Sequence, residues 1–243
     1  MYETRRVQHQ ITSGFINIVA DSHYLPAFWA HPELGGPFPG LVLIHEWWGL
    51  TAHVRTQVRR FAELGFYVIA PDLFDGQTAH TAEQASILRQ QLGEAGPPRV
   101  SAALRALETH HRCNGQMGII GWQLGGELAF HAAIHRTDLQ AVVAFYARPD
   151  EYLVMLPADE TPILAFYGEN DAAVSSEMVE KVRDALTKSP GQGQVIVYPG
   201  ATTGFFNEEL ATYDPQSAAD AWHKMLDFLY DHLEPGTNKA AHG

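Results

Sequence analysis

Met117-Gly118-Ile119-Ile120-Gly121-Trp122-Gln123-Leu124-Gly125-Gly126 decides the fold. Met117–Gly121 reads as a strand and Leu124–His135 as a helix. The small residues between them permit a sharp strand-to-helix turn. Such a turn projects its middle residue, Gln123, into a pocket and leaves the backbone N–H of Leu124 able to bind an oxyanion.

Working outward, strands and helices alternate. Upstream, Gly40–His45 is a continuous apolar run suited to a strand buried on both faces. Thr51–Leu64 carries Val54, Val58, Phe61 and Leu64 on one helical face, with Gly65 at the stop. Phe66–Ala70 is a strand closed by Pro71. Thr81 and Gln84 form a capping box for a helix carrying Ile87, Leu88 and Leu92. A further helix near Arg99–His110 carries Val100, Leu104 and Leu107. Downstream come strands Ala141–Tyr146 and Ile163–Tyr167, helix Val174–Leu186 and strand Gln194–Tyr198. Asp214 as cap and Pro215 at the first helical position open a last helix to about Leu233. Its inward face is expected at Ala218, Trp222, Met225 and Leu229.

This alternation predicts an α/β fold: about eight strands, mostly parallel, with helices on both faces and antiparallel strands within Phe15–Ala30 at one edge. Loops at the C-terminal ends of the parallel strands are then the place for chemistry. Pro32–Pro39 reads as a turn, not a linker, so residues 1–233 are expected to form one domain, with 234–243 a flexible C-terminal tail.

Composition narrows the partners. A formal net charge of −12, with no basic run to reverse it, argues against nucleic acid and anionic membranes. Cys113 is the single cysteine, so no internal disulfide is possible and a cytoplasmic location is expected. The polar start Met1–Arg6 does not read as a signal peptide, and no apolar stretch is long enough to span a bilayer. The expected partner is a small molecule, without cofactor or metal, and the expected assembly is a monomer or small homo-oligomer.

Three more loops end strands. His45-Glu46-Trp47-Trp48-Gly49-Leu50 presents a carboxylate, two indoles and, at Trp47, a second oxyanion N–H donor. Tyr167-Gly168-Glu169-Asn170-Asp171 follows a late strand, and Tyr198-Pro199-Gly200-Ala201-Thr202-Thr203-Gly204-Phe205-Phe206 follows the last one. Over roughly Gly14 to Leu233, these segments together resemble the dienelactone hydrolase family of the α/β-hydrolase superfamily. The resemblance implies cofactor-free hydrolysis of small lactones and esters by an elbow cysteine, an aspartate and a histidine, with a glutamate that sets the thiol's charge state. It places Glu46 at that glutamate and Asp171 at the aspartate. Gln123 stands at the cysteine and Thr203 at the histidine. An amide is no nucleophile, and no histidine lies between His135 and His223, so the triad is degenerate.

The candidate catalytic residues are therefore Glu46, Gln123, Asp171 and Thr203, with the N–H groups of Trp47 and Leu124 as oxyanion donors. Trp47, Trp48, Trp122 and Phe205 are candidate substrate contacts. Glu46, flanked by indoles, is expected to be desolvated and suited to proton transfer; the plainer reading is a carboxylate that pairs with an arginine and holds a loop. Gln123 either touches ligand or plugs the site. Asp171 is expected to bond Thr203 or nearby N–H groups, and Cys113 to be inert. Glu127, His131 and His135 recur every four residues, a spacing that suits a polar helix stripe better than a metal. Three functions fit: non-covalent acid/base chemistry on a small carbonyl, lactone or ester compound; a catalytically dead small-molecule binder; or a hydrolase with a non-standard nucleophile.

Overall fold

The computed structural model describes residues 8–20 and 23–233. The expected tail, 234–243, lies outside them. By compactness the chain divides after Gly115 into two units.

In the first unit, β1 (Ile11–Ala20) pairs antiparallel with β2 (His23–Pro32), from Ile11 opposite Pro32 to Ala20 opposite His23. Next to β2, again antiparallel, runs β4 (Tyr67–Pro71), and parallel to β4 runs β3 (Phe38–Ile44). Every residue of β3 and β4 is buried, as an apolar strand covered on both faces requires. Helix α1 (Ala52–Glu63) buries Val54, Val58 and Phe61 and stops at Leu64, with Gly65 at φ 97°. In α2 (Ala82–Leu92) the Thr81 hydroxyl caps the N–H of Gln84, but the returning Gln84 Oε1 takes the N–H of His80. Ala85, Leu88 and Leu92 bury the inward stripe of α2, and Ile87 faces solvent, 47% exposed. Helix α3 (Gly96–Glu108) buries Val100, Leu104 and Leu107 as expected, and starts three residues early on Gly96-Pro97-Pro98.

In the second unit, β5 (Cys113–Trp122, its first residues shared with the boundary), β6 (Ala141–Phe145), β7 (Ile163–Gly168) and β8 (Gln194–Tyr198) follow in spatial order, all parallel. Helices α4 (Leu124–His135), α5 (Ser176–Lys188) and α6 (Pro215–Leu233) connect or cover them. Asp214 caps α6 through the N–H groups of Gln216 and Ser217 at 3.0 and 3.2 Å. The inward face of α6 holds Ala218, Met225 and Leu229, while Trp222 is only half-buried. The fold is thus an eight-stranded, mostly parallel α/β sheet, and among the described residues no helix is long and apolar enough to cross a membrane.

Candidate functional site

In the second unit, β5 ends at Trp122 and α4 begins at Leu124, so Gln123 alone makes the turn. Its φ of 49° and ψ of −108° fall where side chains are rarely tolerated. The flanking glycines are obligatory: a Cβ on Gly121 would stand 2.0 Å from the Gly125 carbonyl oxygen, and one on Gly126 2.5 Å from Ala147 Cβ. The Gln123 N–H donates to Phe145 O at 2.9 Å, and its carbonyl accepts from the Glu127 N–H at 2.9 Å. The strained turn is therefore pinned on both sides. Gln123 Oε1 is buried with no hydrogen-bond donor among the described residues. Leu124 opens α4, and the first turn of a helix leaves its N–H groups without intrahelical acceptors. One such group beside the turn is what an oxyanion needs.

Asp171, in the loop after β7, is buried. Its Oδ1 accepts from the N–H of Ala173 at 2.8 Å, the N–H of Val174 at 3.1 Å and the hydroxyl of Thr203. Thr203 thus adds a side-chain donor to two backbone donors on the same carboxylate oxygen. Asp171 Oδ2 is buried and has no donor among the described residues. The loops after β7 and β8 are sewn together by Glu169 N–H to Tyr198 O and Asn170 N–H to Ala201 O, each 2.9 Å. Gly168 permits this approach, because a Cβ there would meet Ala201 O at 2.4 Å. The parallel order places Gln123, Asp171 and Thr203 at one edge, and two strand spacings put the turn about 10 Å from the Asp171 loop.

Two tyrosines that sequence reasoning missed share this edge. Tyr146 follows β6 with φ 39°, is buried, and donates its N–H to Phe166 O at 2.7 Å. Only its place at a strand end hinted at it. Tyr167 donates its hydroxyl to Ala147 O at 2.9 Å, and burial, then the Asp171 charge, push its ionisation far up. Trp122 and Phe205 do not fit the expected ligand contacts. Both have 0% exposure: Trp122 stacks on Phe145 and Phe206, and Phe205 packs against Phe145, Tyr146 and Tyr198.

In the first unit, Glu46 follows β3 and is 4% exposed. Its carbonyl accepts from His45 Nδ1 at 2.6 Å and from the Gly49 N–H at 3.2 Å. His45 is fully buried, and its Nε2 accepts from the Leu73 N–H at 3.0 Å. The two contacts fix a neutral imidazole with the proton on Nδ1, and burial lowers its pKa from 6.5. His45 thus ties the Glu46 loop to the loop after β4, a role its motif position did not disclose. Gly49 has φ 94°, and a Cβ there would meet Gln77 O at 2.7 Å, which fixes the loop's exit. Trp47 and Trp48 are half-buried and pack edge to face at 5.2 Å.

Elsewhere, the His131 and His135 rings stack at 4.1 Å with Tyr152 against their edges, and His135 Nδ1 lies 2.8 Å from His131 O. Cys113 is the first residue of β5, and burial raises its pKa, which suppresses the reactive thiolate. An open concavity beside Ile134, Leu139, Met155 and Asp159 lies at the opposite strand ends from Gln123.

Residues 25–233 match the family model described as the dienelactone hydrolase family. A provisionally named carboxymethylenebutenolidase of Escherichia coli K12 is 29% identical over 90% of this chain and 87% of its own. The protein named usf of Aquifex pyrophilus is 31% identical over 84% of this chain and 92% of its own. Among solved structures, a provisionally named dienelactone hydrolase from Klebsiella pneumoniae superposes with a TM-score of 0.81 at 27% identity, covering 90% of this chain and 98% of that one.

Proposed function

The chain belongs to the dienelactone hydrolase family, and from that premise we propose that it acts on a small carbonyl, lactone or ester compound without a covalent intermediate. The observation that carries the proposal is the residue in the strained turn. Gln123 occupies the nucleophile's backbone conformation with a side chain that cannot attack. Thr203 is a poor substitute, because its hydroxyl is held by Asp171 and, among the described residues, no imidazole stands beside it to take the proton.

Proton transfer is assigned to Glu46. Glu46 is the buried carboxylate of a strand-end loop that also carries two indoles, and a carboxylate held beside a substrate is a common general acid or base. The N–H group of Leu124 is assigned to a developing oxyanion, and the Trp47 and Trp48 indoles to apolar ligand contact. A second reading, a binder without turnover, draws on Gln123 Oε1 and Asp171 Oδ2. Two buried acceptors without donors suit a ligand that brings hydroxyl or N–H groups.

The test is Glu46→Gln, assayed against a panel of small lactones, enol esters and enolisable ketones. The amide keeps the shape and loses the proton. Turnover is expected to fall by about 10²–10⁴-fold while binding stays within about an order of magnitude. An undiminished rate would move the assignment to Asp171, and binding without turnover in the parent protein would favour the binder.

A further inference from the structure

We infer that the free edge of β1 is a self-association surface whose occupant is β1 of a second copy of this chain. β1 ends the strand order in the first unit, and among the described residues no strand pairs with its outer edge. Its ten residues run in unbroken register with β2, without a bulge. In an antiparallel pair, alternate residues turn their N–H and C=O groups away from the neighbour, so the outer edge of β1 offers a row of unused donors and acceptors. Another strand matches the spacing of such a row along its whole length. Proteins ordinarily blunt long edges with charge, proline or bulges. β1 has none of these, for Gln8–Ala20 contains no Asp, Glu, Lys, Arg or Pro.

The side chains reinforce the backbone. One face of β1 exposes Ser13, Phe15, Asn17 and Val19 at every second position, with Phe15 at 70% and Val19 at 71%. Tyr24, opposite Val19 on β2, extends the apolar stripe at 71% exposure. Phe15 is held in place by an edge-to-face contact with Phe28 at 5.1 Å. Large exposed apolar groups in a row mark a contact surface.

Charge and symmetry select the occupant. At a formal net charge of −12, two copies repel wherever acids face acids, and this charge-free edge lets them meet without that opposition. Antiparallel pairing about a two-fold axis normal to the sheet keeps each face on its own side. The Phe15–Val19 stripe of one copy then lies beside the same stripe of the other, which is a self-complementary, closed arrangement.

Sedimentation or light scattering of the full chain over a dilution series tests this. The expected mass is twice the 26.9 kDa chain at high concentration. Phe15→Lys/Val19→Lys is expected to weaken the dimer by about tenfold or more. Asn17→Lys leaves the Phe15–Phe28 contact intact and is expected to act in the same direction, which covers misfolding of the double variant. Val154→Lys, at an 88% exposed apolar position in the second unit, is expected to change nothing. A parent protein that stays monomeric, or a dimer that survives both edge variants, overturns the inference.

Discussion

Gln123→Gly is expected to stabilise the protein, although glycine substitutions usually weaken it. A non-glycine residue at φ 49°, ψ −108° carries strain of about 1–3 kcal/mol, which glycine releases. The buried Oε1 without a donor carries a desolvation penalty of about 1–3 kcal/mol, which vanishes with the side chain. Against these stand about 0.5–1 kcal/mol for glycine's extra freedom in the unfolded chain and the packing of a half-buried side chain. The balance favours the variant by about 1–3 kcal/mol. For a chain of this size that is a rise in Tm of about 2–4 °C per kcal/mol. Urea unfolding followed by fluorescence of the five tryptophans measures it. An equal slope with a higher midpoint confirms the strain account. A loss of more than about 1 kcal/mol would refute it, showing that the Gln123 amide gains more from its surroundings than its backbone loses.

Gln123→Cys combined with Thr203→His is expected to raise activated-ester hydrolysis well above either single change. Nucleophile and base act as a unit, so the gain should be strongly non-additive; additive gains would mean that Asp171 does not reach the introduced imidazole. For pH, His45 is neutral in the fold with its pKa held below 6.5 by burial, so below 6.5 the unfolded chain binds the proton first. Stability is expected to fall as pH drops through that value, by up to about 1.4 kcal/mol per pH unit for each such group. Burial depresses His31 and His110 in the same direction. Denaturation midpoints that hold steady between about pH 7.5 and 5.5 would contradict this.

Much of the fold was legible because local chemistry and burial agree. Thr51, Gly65 and Asp214-Pro215 mark helix ends that packing also needs, and the apolar runs of β3 and β6 admit only buried strands. The misplacements arise where a tertiary contact takes over. α5 begins at Ser176 instead of Val174, because Asp171 claims the N–H groups of Ala173 and Val174 and leaves Ser175 to cap. β5 starts four residues early, at Cys113.

At the candidate site, the residue types were readable but their states were not. The sequence left Phe205 as pocket wall or core and did not tell that Trp122 is packed inside, because an aromatic beside a glycine turn can face either side. The strain at Tyr146 and the tautomer of His45 depend on backbone angles and on a donor from Leu73, and neither leaves a pattern in sequence. The Asp171–Thr203 bond was anticipated, since a buried carboxylate without its histidine must find donors nearby.

The central claim is that turnover proceeds without acylation of the protein. Rapid quenching during steady-state consumption of the fastest substrate from the lactone and ester panel, followed by mass spectrometry of the intact chain and its peptides, tests it most directly. The account predicts an unmodified chain at every time point, with no acyl group on the peptides holding Gln123 or Thr203. An acyl adduct that forms and decays at the turnover rate, on Thr203 or any other side chain of the strand-end loops, would contradict it.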